Sequence, residues 1–552
     1  MKRRNFLSGL LAVGARPVLG RESTARIPAT LDLREPMRRA VACVLNRMDP
    51  AQNYRPWFAV DVVDGVPTKL RHDVWDFGDT SGRFLEALIL ARQMVPPGGD
   101  ALLAERRIRR FVDSLFGVDG LIANPERHEP DHMFSQGSAL YGLVTDFDSS
   151  RDPKLEARIQ SFIEALNRAA VQERDYLWFP QVATKIAPCS HMAAYQVLPI
   201  VRFYELTHYA PALKYSERLA RWAFYHDPTV TVEGVITKTG WEGHLHAWMD
   251  TYTGIIRCTL AGGDLDRDAV LARARKLYEW VKANYTSSFG WVADSVGSQT
   301  CETDTITSAI RLALELIKQG HHEYWNDIER FARNQLVENQ FVDVSRLGIR
   351  DPRTSRGLQG AFESYAAPNT LLAARDAVVE GCCINGGMRG LFLAYDHAVH
   401  ATPTEVRVNL LLTSGGRGVE VTSFLPFEGR LDLTPQDSRP LFVRYPDWLS
   451  REDVRIEAPS RVRHEPESGA PYLKFSGHRR GSRIVLRFPQ REVERTEVVA
   501  GKPYRVRWRG DTVAELLPAG APYPIFQRSS LRGTDAPLKV QGTPFRVSRV
   551  HW

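Results

Sequence analysis

The sequence predicts a mainly α fold with a C-terminal β domain, in which an (α/α)6 toroid is followed by a β-sandwich. Three observations predict it. From about residue 31 to residue 400, apolar residues recur at three- and four-residue spacing, the period of amphipathic helices. Polar or reactive residues mark alternate predicted helix starts at near-equal intervals. From about residue 401 the apolar period becomes two, as in strands.

The length and composition set the broad class of the protein. A chain of 552 residues with 43% hydrophobic and 25% charged residues can fold into more than one domain around a large core. The net charge of +7 is modest, and the arginines are scattered rather than grouped with aromatic residues in a basic stripe. This pattern argues against nucleic-acid binding. Several of the twelve tryptophans fall in polar loops, where they suit sugar stacking or close a core.

The first 25 residues predict an export signal. A basic start, Lys2–Arg4, precedes an apolar run, Leu7–Leu19, that is too short to span a bilayer. The segment Arg3–Leu7 resembles a twin-arginine signal, and an ordinary secretory signal is the alternative. No later segment has the pattern of a membrane span. We therefore expect a periplasmic or secreted protein.

Residues 31–400 form the predicted helical domain. A long polar loop, Gln340–Asn369, interrupts it and could form a rim or lid. The predicted helices are Leu31–Leu45, Thr80–Gln93, Leu102–Leu115, Phe134–Thr145, Lys154–Ala170, His191–Thr207, Ala210–Tyr225, His244–Leu260, Arg267–Ala283, Cys301–Lys318, Tyr324–Asn339, Thr370–Val379 and Cys383–His397.

A repeat underlies these helices. The marker residues are separated by 57, 55, 53, 57 and 81 residues, and each step has room for one helical hairpin. Six hairpins in a ring bring the N-termini of the inner helices together, where unpaired N–H groups favour anions and hydroxyls. The alternative is that each marker only caps its own helix. The markers are Asp79, Gln136, His191, His244, Cys301 and Cys382.

Three cysteines stand at two of these helix starts. Cys301 lies 81 residues before the adjacent pair Cys382 and Cys383. Helix dipoles lower thiol pKa values, and thiolates bind zinc. The alternatives are buried thiols that act as small apolar residues, or a strained vicinal disulfide. Cys43 and Cys258 lie in apolar helical patterns and are predicted to be buried thiols.

Residues 401–552 form the predicted β-sandwich with an irregular tail from Gly520. Gly, Pro and Asp turns separate its alternating segments. The predicted strands are Val406–Leu412, Gly418–Phe424, Leu441–Tyr445 and Arg483–Phe488, with more strand material in Gly501–Pro518.

Together these motifs resemble glycoside hydrolase family 127, the β-L-arabinofuranosidase-like proteins. The resemblance covers most of the mature chain and implies an (α/α)6 barrel followed by β-sandwich material. The segments that carry it are Thr300-Cys301, Gly381-Cys382-Cys383 with Asn385 and Arg389, Ser190-His191, Gly243-His244, Glu323–Arg330 and the strand Val406–Leu412.

The resemblance implies a zinc-dependent, retaining glycosidase. Cys301, Cys382 and Cys383 match the family's zinc-binding cysteines, and Cys382 matches its nucleophile. The thiolate would attack an anomeric carbon, and water would resolve the thioglycosyl intermediate. The fourth ligand of the family is a glutamate, and this chain has the neutral Gln299 at that position.

The resemblance leaves the acid/base open and suggests the sugar-binding residues. The family's glutamate acid/base has no counterpart at the matching place, so Asp294 and Glu302 are the candidates. His191, His244, His246 and Gln136 would bind sugar hydroxyls, which imidazole and amide groups can do. The alternative for the histidines is a core or capping role.

Three functions compete at this stage. The first is an exported, zinc-dependent exo-glycosidase acting on furanosides of an oligo- or polysaccharide. The resemblance also implies that the protein could form a homodimer, because relatives in the family often pair. The second is another (α/α)6 enzyme, a polysaccharide lyase or unsaturated-uronide hydrolase, which works without a thiolate cluster. The third is a non-catalytic carbohydrate-binding relative that keeps zinc for folding.

Overall fold

The computed structural model describes residues 25–63, 67–127, 129–179, 190–373, 376–533 and 535–541. The predicted export signal lies outside the described residues except for its last position, and Cys189 also lies outside them. Within the described ranges, we find no helix with the length and apolar character needed to cross a membrane.

The helices follow the predicted order closely. A π-helical turn, Trp222–His226, extends the eighth helix. In the described residues the helices are α1 (Arg34–Asn46), α2 (Gly78–Met94), α3 (Gly99–Ser114), α4 (Met133–Ser150), α5 (Pro153–Ala169), α6 (Ser190–Ala194), α7 (Val197–Thr207), α8 (Ala210–Arg221), α9 (Leu245–Leu260), α10 (Arg267–Tyr285), α11 (Thr303–Lys318), α12 (Trp325–Arg333), α13 (Gln335–Glu338), α14 (Pro352–Leu358) and α15 (Gly381–Ala398).

Six helices close into an inner ring, as the toroid prediction requires. Helix α2 packs on α4, α4 on α7, α7 on α9, α9 on α11, α11 on α15, and α15 returns to α2. The short helix α6 precedes α7 and also contacts α4 and α9. The outer helices α3, α5, α8, α10 and α12 each pack on an inner neighbour, and α1 packs on both α15 and α2. The predicted (α/α)6 architecture is therefore confirmed.

The burial pattern explains which helices lie inside. Almost every residue of α2, α4 and α11 is buried, polar ones included, whereas α3, α5 and α8 bury only one face. Glycines allow α2 and α4 to approach closely. A Cβ on Gly82 would lie 2.4 Å from the carbonyl oxygen of Ser138, and one on Gly142 would lie 2.4 Å from that of Gly82.

Strands lie at the barrel end and in the C-terminal region. In the described residues they are β1 (Ala25–Pro28), β2 (Met48–Asp49), β3 (Arg55–Pro56), β4 (Ala59–Val63), β5 (Lys69–Arg71), β6 (Ala123–Asn124), β7 (Glu129–Pro130), β8 (Val171–Gln172), β9 (Leu177–Trp178), β10 (Asp376–Glu380), β11 (Val399–Ala401), β12 (Val406–Val408), β13 (Val419–Ser423), β14 (Arg430–Pro435), β15 (Leu441–Arg444), β16 (Arg455–Glu457), β17 (Arg463–Pro466), β18 (Tyr472–Ser476), β19 (Ile484–Arg487), β20 (Glu492–Val499), β21 (Lys502–Arg509), β22 (Thr512–Leu517) and β23 (Leu538–Gln541).

One helix prediction is wrong. The segment Thr370–Val379 contains no helix in its described part, and its end belongs to β10, which pairs antiparallel with β4. The short apolar run Val378-Val379 is β-branched and suits a strand, and pairing with β4 satisfies its backbone groups. The strand runs directly into α15, so it fixes the position of the adjacent cysteines.

The C-terminal region contains two facing sheets and a third, separate one. The facing sheets have the strand orders β11-β12-β15-β18-β17 and β13-β14-β19-β16. Their inner apolar residues form one core, which includes Val408, Leu433 and Phe475. Strands β20-β21-β22 form the third sheet, whose Val506 and Trp508 join the core of the helical domain. The predicted β-sandwich is present, but Gly501–Pro518 lies against the barrel.

Candidate active site

The N-termini of the inner helices converge on one pocket of about 300 Å³. Helices α2, α9, α11 and α15 all contribute lining residues from their first turns or from the residue before them. Because six helices point their N-termini at this end, unpaired N–H groups and positive dipole ends concentrate there. The lining residues are Phe58, Trp75, Asp79, Arg83, Phe134, Gly240, Trp241, His244, His246, Asp294, Ser295, Glu302, Asp304, Tyr365, Glu380 and Cys382.

The floor of the pocket carries a group of four buried metal-ligand side chains. Ligand atoms of Glu302, Asp304, Cys382 and Cys383 all lie within 4.8 Å of one another. The Sγ atoms of the two cysteines are 4.0 Å apart, close to the separation of about 3.8 Å expected for two sulfurs on one tetrahedral zinc. Cys382 Sγ also lies 3.9 Å from Glu302 Oε1. The set of two thiols and two carboxylates therefore fits a metal ion.

Asp304 reaches this cluster because the neighbouring helix has a glycine. A Cβ on Gly386 would lie only 2.0 Å from Asp304 Oδ1. The other oxygen, Oδ2, accepts a hydrogen bond from Nη1 of Arg83 at 3.2 Å. Oδ1 is buried and has no hydrogen-bond partner among the described residues. A buried carboxylate oxygen without a donor is costly, and a metal ion at this place would satisfy it.

The thiols are protonated when no cation is bound. The neighbouring Cys383 thiol and burial raise the pKa of Cys382 well above its ordinary value. Burial likewise raises the pKa of Cys383 to about 12. Burial also raises the pKa of Asp304 to about 7. A bound divalent cation would instead lower the pKa of these thiols, because a thiol that coordinates a metal ion loses its proton.

Glu302 connects the cluster to a group of histidines. Its Oε2 lies 2.7 Å from Nε2 of His244. Burial alone would lower the pKa of His244, but the Glu302 carboxylate overcomes this effect and the pKa is raised. Burial and the nearby His244 hold the pKa of His246 and that of His191 well below the ordinary value. His246 and His191 are therefore neutral.

The predicted sugar-binding histidines lie together. The ring centroids of His191 and His244 are 5.8 Å apart, and those of His244 and His246 are 5.3 Å apart. His244 and His246 line the pocket, whereas His191 lies behind His244 and is not a lining residue. His246 Nδ1 pairs with the hydroxyl of Ser308 at 2.7 Å, and its Nε2 has no partner among the described residues. That nitrogen is available to a ligand hydroxyl.

Asp294 lines the pocket from the loop before α11. The hydroxyl of Ser295 donates a hydrogen bond to its Oδ1 at 3.0 Å. Burial, with the Glu302 charge adding to it, raises the pKa of Asp294. A carboxyl group with a raised pKa in a pocket is suited to donate a proton.

Three sequence-predicted residues are not members of the cluster, although Cys301 is near enough to Cys383 for the two thiols to interact electrostatically. Cys301 is buried, and its thiol accepts a hydrogen bond from Asn339 Nδ2 at 3.8 Å. Gln299 is exposed in the loop before α11. Gln136 is fully buried, and its amide makes bonds of 2.9 and 2.7 Å with the Ile122 backbone. The cluster thus has Glu302 and Asp304 where the sequence predicted Cys301 and Gln299 as ligands, and Gln136, predicted to bind sugar, holds the backbone of Ile122.

Two carboxylates near Cys382, those of Glu380 and Asp304, were not predicted from the sequence. Glu380, the last residue of β10, has its Oε2 3.4 Å from Cys382 Sγ. The hydroxyl of Tyr365 donates a hydrogen bond to Glu380 Oε1 at 3.1 Å. Burial and the Glu302 charge raise the pKa of Glu380 to about 8. The only signal in the sequence was its place two residues before Cys382. Asp304, two residues after Glu302, was missed in the same way.

Comparisons with known proteins identify the fold. No protein-family model matches the chain, and no curated protein matches its sequence. Among solved structures, a GH127 β-L-arabinofuranosidase from Geobacillus stearothermophilus T6 is similar with a TM-score of 0.61 and 14% identity, over 89% of this chain and 86% of that one. A second GH127 β-arabinofuranosidase is similar with a TM-score of 0.59 and 14% identity, over 87% and 80%.

A third solved structure, a glycoside hydrolase, has a TM-score of 0.60 and 12% identity, over 89% of this chain and 81% of that one. The predicted resemblance to GH127 proteins is confirmed at the level of the fold. It covers 87% to 89% of this chain in these three structures.

Proposed function

We propose that this protein is an exported glycoside hydrolase of the β-L-arabinofuranosidase type, which retains anomeric configuration through the thiolate of Cys382. The observation that carries the proposal is the pair Cys382 and Cys383 with Glu302 and Asp304 on the floor of the pocket. The fold shared with GH127 arabinofuranosidases supports the choice of substrate class.

Zinc is the metal we propose for this cluster. Cys382, Cys383, Glu302 and Asp304 would hold it, with Cys301 and Gln299 outside the ligand set. Thiolate ligands favour zinc over the harder divalent cations. When bound, the ion keeps the cysteine thiols deprotonated at neutral pH. The arrangement of Cys301 as a third thiolate ligand is the alternative that the sequence resemblance implies.

Cys382 acts as the nucleophile. Cys382 lines the pocket, whereas Cys383 is fully buried and does not. The Cys382 sulfur forms a bond to the anomeric carbon while the bond from that carbon to the leaving oxygen breaks. Water then attacks the same carbon and releases the sugar, so two inversions give net retention.

Asp294 is the proton donor that we assign to the leaving oxygen. It is a pocket carboxyl group with a raised pKa outside the metal cluster, as is Glu380, whose Oε2 instead lies 3.4 Å from the nucleophile Cys382 Sγ. In the second step the same carboxylate accepts the proton of the attacking water. Glu302, the other sequence candidate, is engaged with His244 and the thiols. His246, which is neutral, and His244, whose pKa Glu302 raises, orient sugar hydroxyls, and His191 supports His244 from behind.

The test is hydrolysis of 4-nitrophenyl β-L-arabinofuranoside by the zinc-loaded, mature protein. We expect nitrophenol release, a retained anomeric configuration by proton NMR, and a loss of kcat of about a thousandfold or more in Cys382→Ala. Cys258→Ala is the matched control, because Cys258 is a buried thiol in α9 that does not line the pocket. Its activity is expected to equal that of the wild type.

Other outcomes separate the competing functions. Activity on a polysaccharide that survives Cys382→Ala would replace the proposal with a lyase or uronide hydrolase. Sugar binding without turnover, together with unfolding in chelator, would favour a carbohydrate-binding relative. Export is tested by locating the full chain, compared with a variant in which Arg3 and Arg4 are both lysine.

A further inference from the structure

The mouth of the pocket differs in character from its floor. The floor groups Cys382, Asp304 and His246 are buried and polar or reactive. At the mouth, Trp241 is 48% exposed although it is one of the largest apolar side chains. Trp75 lies beside it, with ring centroids 6.3 Å apart and planes inclined by 47°. The two indoles form an open aromatic surface above the reactive floor.

The turn that carries Trp241 is held rigidly. It spans Gly240–Gly243, and its carbonyl at Glu242 accepts a hydrogen bond from the indole N–H of Trp248 at 2.9 Å. The backbone N–H of Val296 donates to the carbonyl of Gly243 at 3.1 Å. A Cβ at Gly243 would lie 2.2 Å from the carbonyl of Lys238, so only glycine allows this approach. The backbone position of Trp241 is therefore set before any ligand binds, which reduces the entropy cost of binding.

Trp75 is fixed in the same way by its neighbours. Its ring lies 4.1 Å from that of His132 in an edge arrangement and 6.4 Å from that of Phe134. Beside the turn of Trp241, half-buried Asp294 and Ser295 line the same pocket and supply hydrogen-bonding groups; Ser295 pairs with His244, and the backbone N–H of Leu245 donates to the Asp294 carbonyl at 2.9 Å. An apolar face beside polar groups matches a sugar ring, which has C–H faces and hydroxyl edges.

We infer that Trp241 and Trp75 form the binding surface for the leaving-group sugar, the ring directly attached to the arabinofuranosyl residue that is removed. The inference rests on the proposed function. The ring that is transferred must reach the buried Sγ of Cys382, so it occupies the floor. The next ring then lies at the mouth, against the exposed indole and within the same pocket as Asp294. Trp241 supplies binding energy for the sugar at this subsite. Trp241 therefore determines which leaving-group sugars the enzyme prefers.

The test compares two ligands that resist hydrolysis and differ only in the second ring. They are methyl 1-thio-β-L-arabinofuranoside and a sulfur-linked β-L-arabinofuranosyl disaccharide, titrated calorimetrically into the zinc-loaded protein. We expect Trp241→Ala to raise the Kd of the disaccharide about tenfold and to leave the Kd of the methyl glycoside unchanged. Trp241→Phe should restore most of the affinity, because it keeps an aromatic face.

Tyr225→Ala is the matched control, since Tyr225 is 47% exposed but does not line the pocket. It should change neither Kd. An equal loss for both ligands in Trp241→Ala, or no loss for the disaccharide, would overturn the inference and leave the proposed function standing. If the wild type binds neither ligand, the proposed function fails and the subsite falls with it.

Discussion

Replacing Gly386 by alanine tests whether Asp304 is a metal ligand. The new Cβ would lie 2.0 Å from Asp304 Oδ1, whereas ordinary van der Waals contact begins at 3.4 Å. The carboxylate must therefore move by at least about 1.4 Å, and because the Cβ would also lie 2.9 Å from the Asp304 Cα, α11 must shift slightly away from α15 as well. Metal–ligand distances tolerate about 0.2 Å, so Asp304 can no longer bind the ion that the thiols hold.

We expect zinc affinity to fall by about 10- to 100-fold in Gly386→Ala. The assay is competition with a chromophoric chelator, together with the thiolate-to-metal absorption of the cobalt-substituted protein. Cys301→Ser is the matched control, because the Cys301 thiol lies outside the cluster. It should keep both its zinc affinity and its cobalt spectrum. Wild-type affinity in Gly386→Ala, or loss of metal in Cys301→Ser, would refute the ligand set.

Two further predictions concern stability. Burial raises the pKa of Glu363 from 4.5 in the unfolded chain to about 8 in the folded protein. The folded protein therefore holds this proton more tightly, and the resulting stability is fully present below about pH 4.5 and is lost as the pH rises to about 8. Urea unfolding should show that Glu363→Gln removes a slope of up to about 1.4 kcal/mol per pH unit, and an unchanged slope would contradict this. Glu86→Gln leaves Arg389 buried without its partner and should cost about 3–5 kcal/mol. Glu457→Gln, which breaks the exposed pair with Arg487, is the control and should cost about 0–1 kcal/mol.

Local periodicity predicted most of the fold. Apolar spacing located the helices because each buries a continuous face, and the marker residues located the inner ones because polar side chains gather where six N-termini meet. The helix prediction for Thr370–Val379 was wrong because its local sequence is ambiguous. Its short apolar run fits either a helix or a strand, and only pairing with β4 decides between them. Likewise, nothing local distinguishes β20–β22 from sandwich strands, since the surface on which they pack lies far away in sequence.

The candidate site was predicted in part. The sequence indicated Cys382, Cys383 and Glu302 as neighbours of one pocket, and the structure brings them together. It could not indicate Asp304, because an acidic residue in the first turn of a helix is an ordinary cap. Only the packing of α11 against Gly386 of α15 turns that carboxylate toward the thiols.

The sequence by itself determined the order of helices and strands, the repeat of the toroid and the thiol pair at a helix start. These depend on residues close together along the chain. The tertiary structure alone decided which carboxylates face the thiols, that Cys301 turns toward Asn339, and that Trp241 stands at the mouth. Such choices depend on side-chain directions and on contacts across tens to hundreds of residues, and no spacing rule encodes them.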